Sequence, residues 1–480
     1  MARVGVAGYD RHLVELAARM AGHAARPETR ARIPTLLAAF AADLPRKNAW
    51  TLAEHTGESD PHGTQHLLNR AAWDEDAAGA ELRAWVAEHL GHPDGVLVVD
   101  ETGDLKKGTC TVGVQRQYTG TAGRTENAQV GVYLGYATPR GHALVDREVY
   151  LPASWTDDPA RCAQAGVPEH VAFATKPTLA GNMIDAALEA GVPARWVAGD
   201  EVYGGDPKLA RRIEATCDQR IADGKPGVGY VLALSCRRQL PIDARTSRST
   251  TRIAADLPRR AWQRRSAGAG AHGYREYEWA YVALHPRVAT RPNSAPREGG
   301  KGGKPVHSPA WERAVSAAQE HAAATGRCWW LLIRRHPRTK AMAFYLCFSP
   351  HPVPLGDLVA VAGRRWTIEE SFQASKGLTG LDEHQVRRWT SWRRWTLLAM
   401  AAHAVLAVTT ATARAADAGR SEREGLIALT CAEIRRLVMA VARGTIEDAF
   451  VASWSHWRRR HQHRAKTAHY ARRERLSKIK

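Results

Sequence analysis

The sequence predicts a mixed α/β fold with helical segments at both ends, and three observations support this prediction. Short apolar runs typical of strands begin at Gly95 and recur to about residue 350. A helical pattern interrupts them at 176–191, where Pro177 fits a first turn and Gly191 a C-terminal stop. Apolar side chains recur at helical spacing before about residue 90 and after about residue 355. Alternating strands and helices of this kind form layers around a sheet.

The composition indicates a folded protein with a polyanionic partner. The chain has 480 residues, 44% of them hydrophobic, which excludes global disorder and suggests two to four domains. Its 68 Lys and Arg residues exceed its 49 Asp and Glu residues, for a net charge of +19. That excess favours DNA or RNA as the partner, although a genome rich in G and C would also inflate the Arg content.

The cysteines and the apolar stretches bear on location. The seven cysteines are scattered without a C-x-x-C pair, which disfavours a zinc ribbon or a redox motif and fits a reducing cytoplasm. The first residues lack an apolar leader, and the apolar stretch from Thr396 to Ala413 includes His403 and is short for a membrane span. We therefore expect a cytoplasmic protein without a membrane partner, and a buried core helix at 396–413.

The pattern divides the chain into five segments. They are a helical N-terminal DNA-binding domain at 1–92, the first part of an α/β core at 93–236, a β-rich insertion domain at 237–350, the second part of the core at 351–416, and a helical basic region at 417–480.

Three features could contact nucleic acid. Two short helical patterns around residues 46–73 resemble a helix-turn-helix, with His66, Asn69 and Arg70 on the second helix, although a plain helical hairpin gives the same pattern. The basic end of the chain, from Trp457 onward, is either a DNA contact or a solvated tail. One of the adjacent Trp329 and Trp330 could stack on a displaced base, or both could be structural.

Acidic residues follow two of the predicted strands. Asp100 follows Leu97-Val98-Val99, and Asp200 follows Val197-Ala198-Gly199. Carboxylates from neighbouring strand ends can share divalent ions that activate an attacking oxygen and stabilise the leaving oxygen of a phosphodiester. An Asp that ends a strand is more often structural, however. By composition alone, other acids compete for the same roles: Glu101, Glu201, Asp104 and Asp146.

Three segments, in order, resemble the acidic motifs of the DDE transposases of bacterial insertion sequences. The segments are VVDETGDLKKG, WVAGDEVYG and RRWTIEESFQASKG. They most resemble the branch typified by insertion sequence 701 within the insertion-sequence-4 group, and the resemblance covers nearly the whole chain. It implies a ribonuclease-H-like catalytic core interrupted by a β-rich insertion domain, with helical N-terminal and C-terminal regions.

The resemblance also implies the site residues. Asp100, Asp200 and Glu369 would be catalytic and would hold two Mg²⁺ or Mn²⁺ ions. The family motif Y-x2-R-x3-E-x6-K selects Glu369 over Glu370 and assigns Arg365 and Lys376 to phosphates near the cut. Its first position is Ala362 in this chain instead of Tyr, so any DNA contact of that Tyr is missing or made elsewhere.

The implied function is cut-and-paste transposition. Water would free a 3′-hydroxyl at each element end, and that hydroxyl would attack target DNA. The partners implied are double-stranded DNA, as element ends and as target, and a second copy of the chain in a DNA-bound homodimer. The resemblance also implies a bacterial protein that is associated with the nucleoid. Two alternatives remain, a non-cutting DNA-binding regulator derived from a transposase and another ribonuclease-H-like nuclease or phosphatase. The absence of G-x-x-x-x-G-K-[ST] disfavours an ATP-driven motor.

Overall fold

The chain folds into two compact units. The computed structural model describes residues 2–241, 247–270, 273–284, 319–322, 324–424 and 428–442, and the single residues 316, 457, 464, 468 and 475. The first unit comprises Met1–Leu82 and Ala374–Lys480, and the second comprises Arg83–Gln373. The five segments predicted from the sequence divide the chain more finely than these units and stay a prediction.

Helices form most of the first unit. The second unit has its own helices, which pack on its sheet. In chain order the helices of both units are α1 (Ala2–Ala21), α2 (Pro27–Ala41), α3 (Ala49–His55), α4 (His62–Asn69), α5 (Glu75–Leu90), α6 (Ala153–Thr156), α7 (Pro159–Ala165), α8 (Lys176–Glu189), α9 (Glu201–Gly204), α10 (Pro207–Ala222), α11 (Thr250–Ala255), α12 (Leu355–Arg364), α13 (Thr367–Thr379), α14 (Trp389–Glu424) and α15 (Cys431–Ala442). A short 3₁₀ helix spans Arg259–Ala261.

All strands of the described residues lie in the second unit. They are β1 (Gly95–Leu105), β2 (Gln115–Thr119), β3 (Arg124–Ala137), β4 (His142–Val149), β5 (Ala194–Gly199), β6 (Gly229–Leu234), β7 (Gln239–Pro241), β8 (Ser247–Ser249), β9 (Gln263–Gly270), β10 (Gly273–Leu284), β11 (Cys328–Arg335) and β12 (Met342–Ser349). Ten of them form one sheet, and β7 pairs with β8 separately.

The large sheet is mixed, which confirms the predicted α/β class. Its order is β2-β3-β1-β5-β6-β12-β11-β10-β9, with β4 paired to β3. Strand β1 is antiparallel to β3 and parallel to β5, and β5 is parallel to β6. Strand β12 then pairs antiparallel with β6. Four strands of the predicted β-rich insertion therefore extend the same sheet, because β12 continues the backbone hydrogen bonding from β6 outward.

The first unit is built around α14, as the apolar stretch predicted. Its residues Trp389–Ala416 are long and apolar enough to cross a membrane, with a mean hydropathy of 1.6, but 83% of the apolar window is buried inside the protein. The helix packs against α1, α2, α4 and α15. Trp395 donates its indole N–H to the carbonyl of Gly380, and its ring meets Phe40 edge-on at 4.8 Å. The helix is therefore the core of this unit.

Trp329 and Trp330 both belong to the core, which agrees with the alternative that both are structural and contradicts the stacking of one of them on a displaced base. They are only 5% and 7% exposed. Strand β11 is an interior strand, paired on one side with β10 and on the other with β12. The Trp329 indole N–H donates to Glu214 at 3.0 Å, and the Tyr230 hydroxyl donates to the same carboxylate at 2.7 Å. A nucleobase could reach neither ring without unfolding this part of the sheet.

We predict that Trp329→Ala lowers the free energy of unfolding by about 3–5 kcal/mol, because it leaves a large cavity in the core. It also leaves the buried Glu214 carboxylate without one donor. Chemical denaturation measures the loss, and Tyr281→Ala, at an aromatic that is 40% exposed on the neighbouring strand, is the matched control with a smaller effect. A Trp329→Ala protein of unchanged stability and weakened DNA binding would contradict the structural role.

Candidate active site

Parallel pairing of β1 with β5 brings two of the predicted catalytic acids together. The register pairs Val99 with Gly199, and the next residues along the two strands are Asp100 and Asp200. Neighbouring strands lie about 4.8 Å apart, so the two carboxylates lie side by side where β5 ends, although β1 continues past Asp100 to Leu105. Residues separated by a hundred positions in the sequence thereby become neighbours.

Local structure fixes the direction of Asp200. It is the N-cap of α9, and its carboxylate accepts a hydrogen bond from the backbone N–H of Val202 at 2.9 Å. The helix lies so close to β6 that a Cβ at Gly204 would stand 1.9 Å from the carbonyl oxygen of Ala233. Only glycine permits this approach, which explains the Gly of the segment WVAGDEVYG.

Glu369 reaches the same site from a helix. It lies in the first turn of α13, and this helix packs on β3 through Phe372, whose ring is 5.3 Å from that of Tyr133. Arg365, the C-cap of α12, lies between the acids. Its guanidinium is 3.1 Å from the Glu369 carboxylate and 3.7 Å from the Asp100 carboxylate. One cationic group therefore contacts both Asp100 and Glu369.

The Asp100 and Asp200 carboxylates are electrostatically strained. Burial, together with the nearby Asp200 charge, raises the pKa of Asp100 to about 7, and the Arg365 guanidinium only partly opposes this rise. Burial raises the pKa of Asp200 as well, and the neighbouring Glu101 charge adds to it. Paired carboxylates with raised pKa values in a buried site are typical of functional centres that bind a cation.

A further cluster beside Asp200 was not singled out from the sequence. Glu101 accepts hydrogen bonds from the Lys176 ammonium at 2.7 Å and from the Tyr203 hydroxyl at 2.8 Å. Burial, followed by the Glu101 charge, raises the pKa of Tyr203 well above its ordinary value, so Tyr203 stays protonated. The only sequence signal was the position of Lys176 at the start of a predicted helix. The cluster places a third carboxylate next to the Asp100–Asp200 pair.

The other candidate acids have different surroundings. Glu370 faces the His142 imidazole on β4 at 3.4 Å, whereas Glu369 faces Arg365 at 3.1 Å, and the choice of Glu369 from motif spacing stays a prediction. Asp146 forms a largely buried ion pair with Arg83 at 3.0 Å, a structural role. Glu201 is exposed on α9, next to Asp200 in sequence.

The donor chemistry of this site suits a divalent cation, but the placement of the donors does not. Carboxylate oxygens are the ligands that Mg²⁺ prefers. Nevertheless, in the described part of the chain no group of three or more His, Cys, Asp or Glu residues stands close enough to hold one metal ion. The guanidinium of Arg365 lies between Asp100 and Glu369, so these two carboxylates contact a side-chain cation.

The remaining predicted DNA contacts lie in the first unit. Arg70 caps the C-terminus of α4, and with His62, Gln65, His66, Asn69 and Arg388 it lines an open groove. Helices α3 and α4 match the predicted helical pair, and His62, His66, Asn69 and Arg70 are exposed on one side of α4. Lys376 follows Glu369 by seven residues on α13. The basic tail after Trp457 lies almost entirely outside the described residues.

Comparison with known proteins supports the family resemblance. Residues 19–218 match the family described as DDE superfamily endonuclease, a segment that contains Asp100 and Asp200 but not Glu369. The chain is 32% identical over 169 residues to the "Probable transposase for insertion sequence element IS701" of Microchaete diplosiphon. That alignment covers 34% of this chain and 40% of the relative, so the chain spans less than half of the relative's length.

A solved structure of a piggyBac transposase synaptic complex with hairpin DNA also aligns with the chain. The alignment covers 88% of this chain and 73% of that one, at 9% identity and a TM-score of 0.34, which is too low to support a structural argument. The resemblance to DDE superfamily endonucleases is therefore confirmed through the sequence matches.

We predict that Asp100→Asn stabilises the protein at high pH when divalent ions are chelated. The folded-state pKa of about 7 lies above the ordinary value of 3.8, so the native protein keeps a proton that the unfolded chain releases. Stability therefore falls as the pH rises through this window, and a neutral Asn avoids the loss. At pH 8.5 we expect the Tm of Asp100→Asn to exceed that of the wild type by roughly 2–4 °C for each kcal/mol by which the substitution raises the free energy of unfolding. At pH 4 the two Tm values should differ little.

The control for this measurement is Asp157→Asn, at an exposed position in the same unit. It should leave the pH dependence of Tm unchanged. An Asp100→Asn protein that melts at or below the wild-type temperature at pH 8.5 would show that the ionised carboxylate is not strained.

Proposed function

We propose that this chain, whose residues 19–218 match the DDE superfamily endonucleases, is a transposase that cuts DNA at the ends of an insertion sequence and joins the freed 3′-hydroxyls to target DNA. The observation that carries the proposal is the convergence of Asp100, within β1, and Asp200, just after β5, with Glu369 contacting the same guanidinium as Asp100. These acids come from three separate parts of the sequence.

The sheet supports a ribonuclease-H-like core as part of this proposal. Three antiparallel strands, β1, β3 and β4, are followed by two parallel strands, β5 and β6, in the spatial order β4-β3-β1-β5-β6. Helix α8 connects β4 to β5, and α10 connects β5 to β6. In sheets with parallel strands, ligand-binding residues lie near the carboxyl ends of those strands, because the crossover connections leave a crevice there. Asp200 lies at such a position, at the carboxyl end of β5.

The chemistry we propose is transesterification at a phosphodiester. Asp100, Asp200 and Glu369 would hold divalent cations, Mg²⁺ or Mn²⁺, only in a conformation in which Arg365 no longer stands between Asp100 and Glu369. Such ions would supply the charge that activates the attacking hydroxyl and stabilises the leaving oxygen. Asp200 is held in place by its N-cap hydrogen bond, and Glu101 is held beside it by Lys176 and Tyr203. Arg365 and Lys376 would contact phosphates of the DNA near the cut, since both carry long basic side chains on this motif.

We assign the recognition of element-end sequence to the groove on α4. The exposed Asn69 and Arg70 have the chemistry that reads adenine and guanine edges in the major groove. Buried Arg394 supports this helix, donating to the carbonyls of Leu67 and Trp73 at 2.9 Å each. A second copy of the chain on the paired element end, and a place in the bacterial cytoplasm at the nucleoid, complete the proposal.

We predict that Glu369→Ala slows cleavage by at least ~100-fold, because it removes a charged group at the reacting centre. Glu370→Ala, whose side chain faces His142, is the matched control and should stay within a few-fold of wild type. The measurement is single-turnover cleavage of an element-end duplex at saturating enzyme with Mg²⁺. Gel-shift affinity for the same duplex should change little in either variant.

Two outcomes would overturn this assignment. An inactive Glu370→Ala beside an active Glu369→Ala would mean that the acid was chosen in the wrong register. A wild-type protein that binds element ends but never cleaves them with Mg²⁺ or Mn²⁺ would favour the non-cutting regulator instead.

We predict that Arg70→Ala weakens binding to an element-end duplex by about tenfold or more, the usual cost of one lost base contact. Binding to a scrambled duplex should change only about twofold, because that affinity comes from many phosphate contacts. Competition gel shifts at fixed salt measure both, and Arg11→Ala, at an exposed position of α1, is the matched control. Equal losses on both duplexes would make Arg70 a phosphate contact, contrary to this assignment.

A further inference from the structure

One side chain separates the acids that the proposed function needs to act together. The Arg365 guanidinium has one nitrogen 3.7 Å from Asp100 and another 3.1 Å from Glu369. Arg365 and Asp100 are each only 16% exposed at the side chain, so this contact lies largely away from bulk water. In the same conformation, the described residues offer no group of three ligands placed for a metal ion.

We infer that Arg365 occupies the cation position between Asp100 and Glu369 in the DNA-free protein, and that it must leave before these carboxylates can share a divalent ion. This inference rests on the proposed function, because it concerns the same acids. It assigns Arg365 two exclusive states. In one state it pairs with the acids, and in the other the acids are released to a metal ion.

Electrostatics gives the reason for the first state. Asp100, Asp200 and Glu101 place three carboxylates close together, and only Lys176 on Glu101 and Arg365 on Asp100 bring compensating charge among the contacts described. Opposite charges at about 4 Å in a partly buried site attract more strongly than they do in bulk water, so the guanidinium makes it easier to bring the acids together. The same attraction makes Arg365 a competitor of divalent cations.

DNA offers the route to the second state. A phosphate is a bidentate partner for a guanidinium, comparable to a carboxylate in geometry and charge. A phosphate that enters the site therefore offers Arg365 a replacement partner while the metal ion replaces Arg365. Because linkage is reciprocal, DNA should raise the affinity for the ion, and the ion should raise the affinity for DNA. The enzyme would thereby assemble its metal site mainly on DNA.

The test measures Mn²⁺ binding to the full chain by calorimetry, without DNA and with a saturating element-end duplex. Four variants are compared with wild type: Arg365→Ala, Arg365→Gln, Arg211→Ala and Asp100→Asn. Arg211 is an exposed arginine on α10 in the same unit and controls for the loss of one charge. Arg365→Gln keeps a polar side chain of similar length and covers the case in which the Ala variant folds poorly.

Without DNA, we expect Arg365→Ala and Arg365→Gln to bind Mn²⁺ at least about tenfold more tightly than wild type or Arg211→Ala, since a competing charge is gone. With DNA, wild-type affinity should rise towards that of the Arg365 variants. Unchanged or weaker Mn²⁺ binding in both Arg365 variants, beside wild-type binding that Asp100→Asn abolishes, would overturn the inference and leave the metal site intact. The absence of any Asp100-dependent Mn²⁺ binding, with or without DNA, would overturn the proposed metal site and the inference together.

Discussion

The site depends on one electrostatic constraint, the placement of like charges on two neighbouring parallel strands, with Asp100 inside β1 and Asp200 directly after β5. Pairing of β1 with β5 forces Asp100 and Asp200 together, and burial raises the pKa of both. Such a pair is stable as anions only beside positive charge. Arg365 supplies part of this positive charge. It can do so because it lies between the end of α12 and the start of α13, next to the two acids.

The length of the sheet explains how this strained edge is tolerated. Strands β12, β11, β10 and β9 continue the sheet beyond β6, so β5 and β6 are interior strands with partners on both sides. Their positions are fixed by backbone hydrogen bonds and by buried side chains such as Trp329 and Tyr230 around Glu214. A rigid scaffold of this kind can hold two carboxylates at close range, because local relaxation away from each other would break the sheet.

Some of the basic residues stabilise the fold and are not available to bind a polyanion. Within the first unit, Arg393 and Arg394 at the start of α14 are nearly fully buried and pair with Asp76 and Glu75 at the start of α5. Arg394 also bonds two backbone carbonyls, which satisfies its guanidinium inside the core. These buried arginines are therefore neutralised locally, whereas Arg70 and Arg388 are exposed and contribute positive charge to the surface.

The sequence by itself determined the features that local patterns encode. The acid Asp200 after strand β5, the helix from Lys176 to Glu189 and the buried helix around Trp395 were all predictable, because propensity and periodicity act over a few residues. The predicted strand end at Asp100 was wrong, because pairing with β3 extends β1 to Leu105. The family resemblance added Glu369, which composition alone left among several acids. Tertiary structure alone decided that Trp329 lies in the core, that Glu101 joins Lys176 and Tyr203, and that Arg365 stands between Asp100 and Glu369. These outcomes depend on which strands become neighbours, and pairing between distant strands leaves no local signal in the chain.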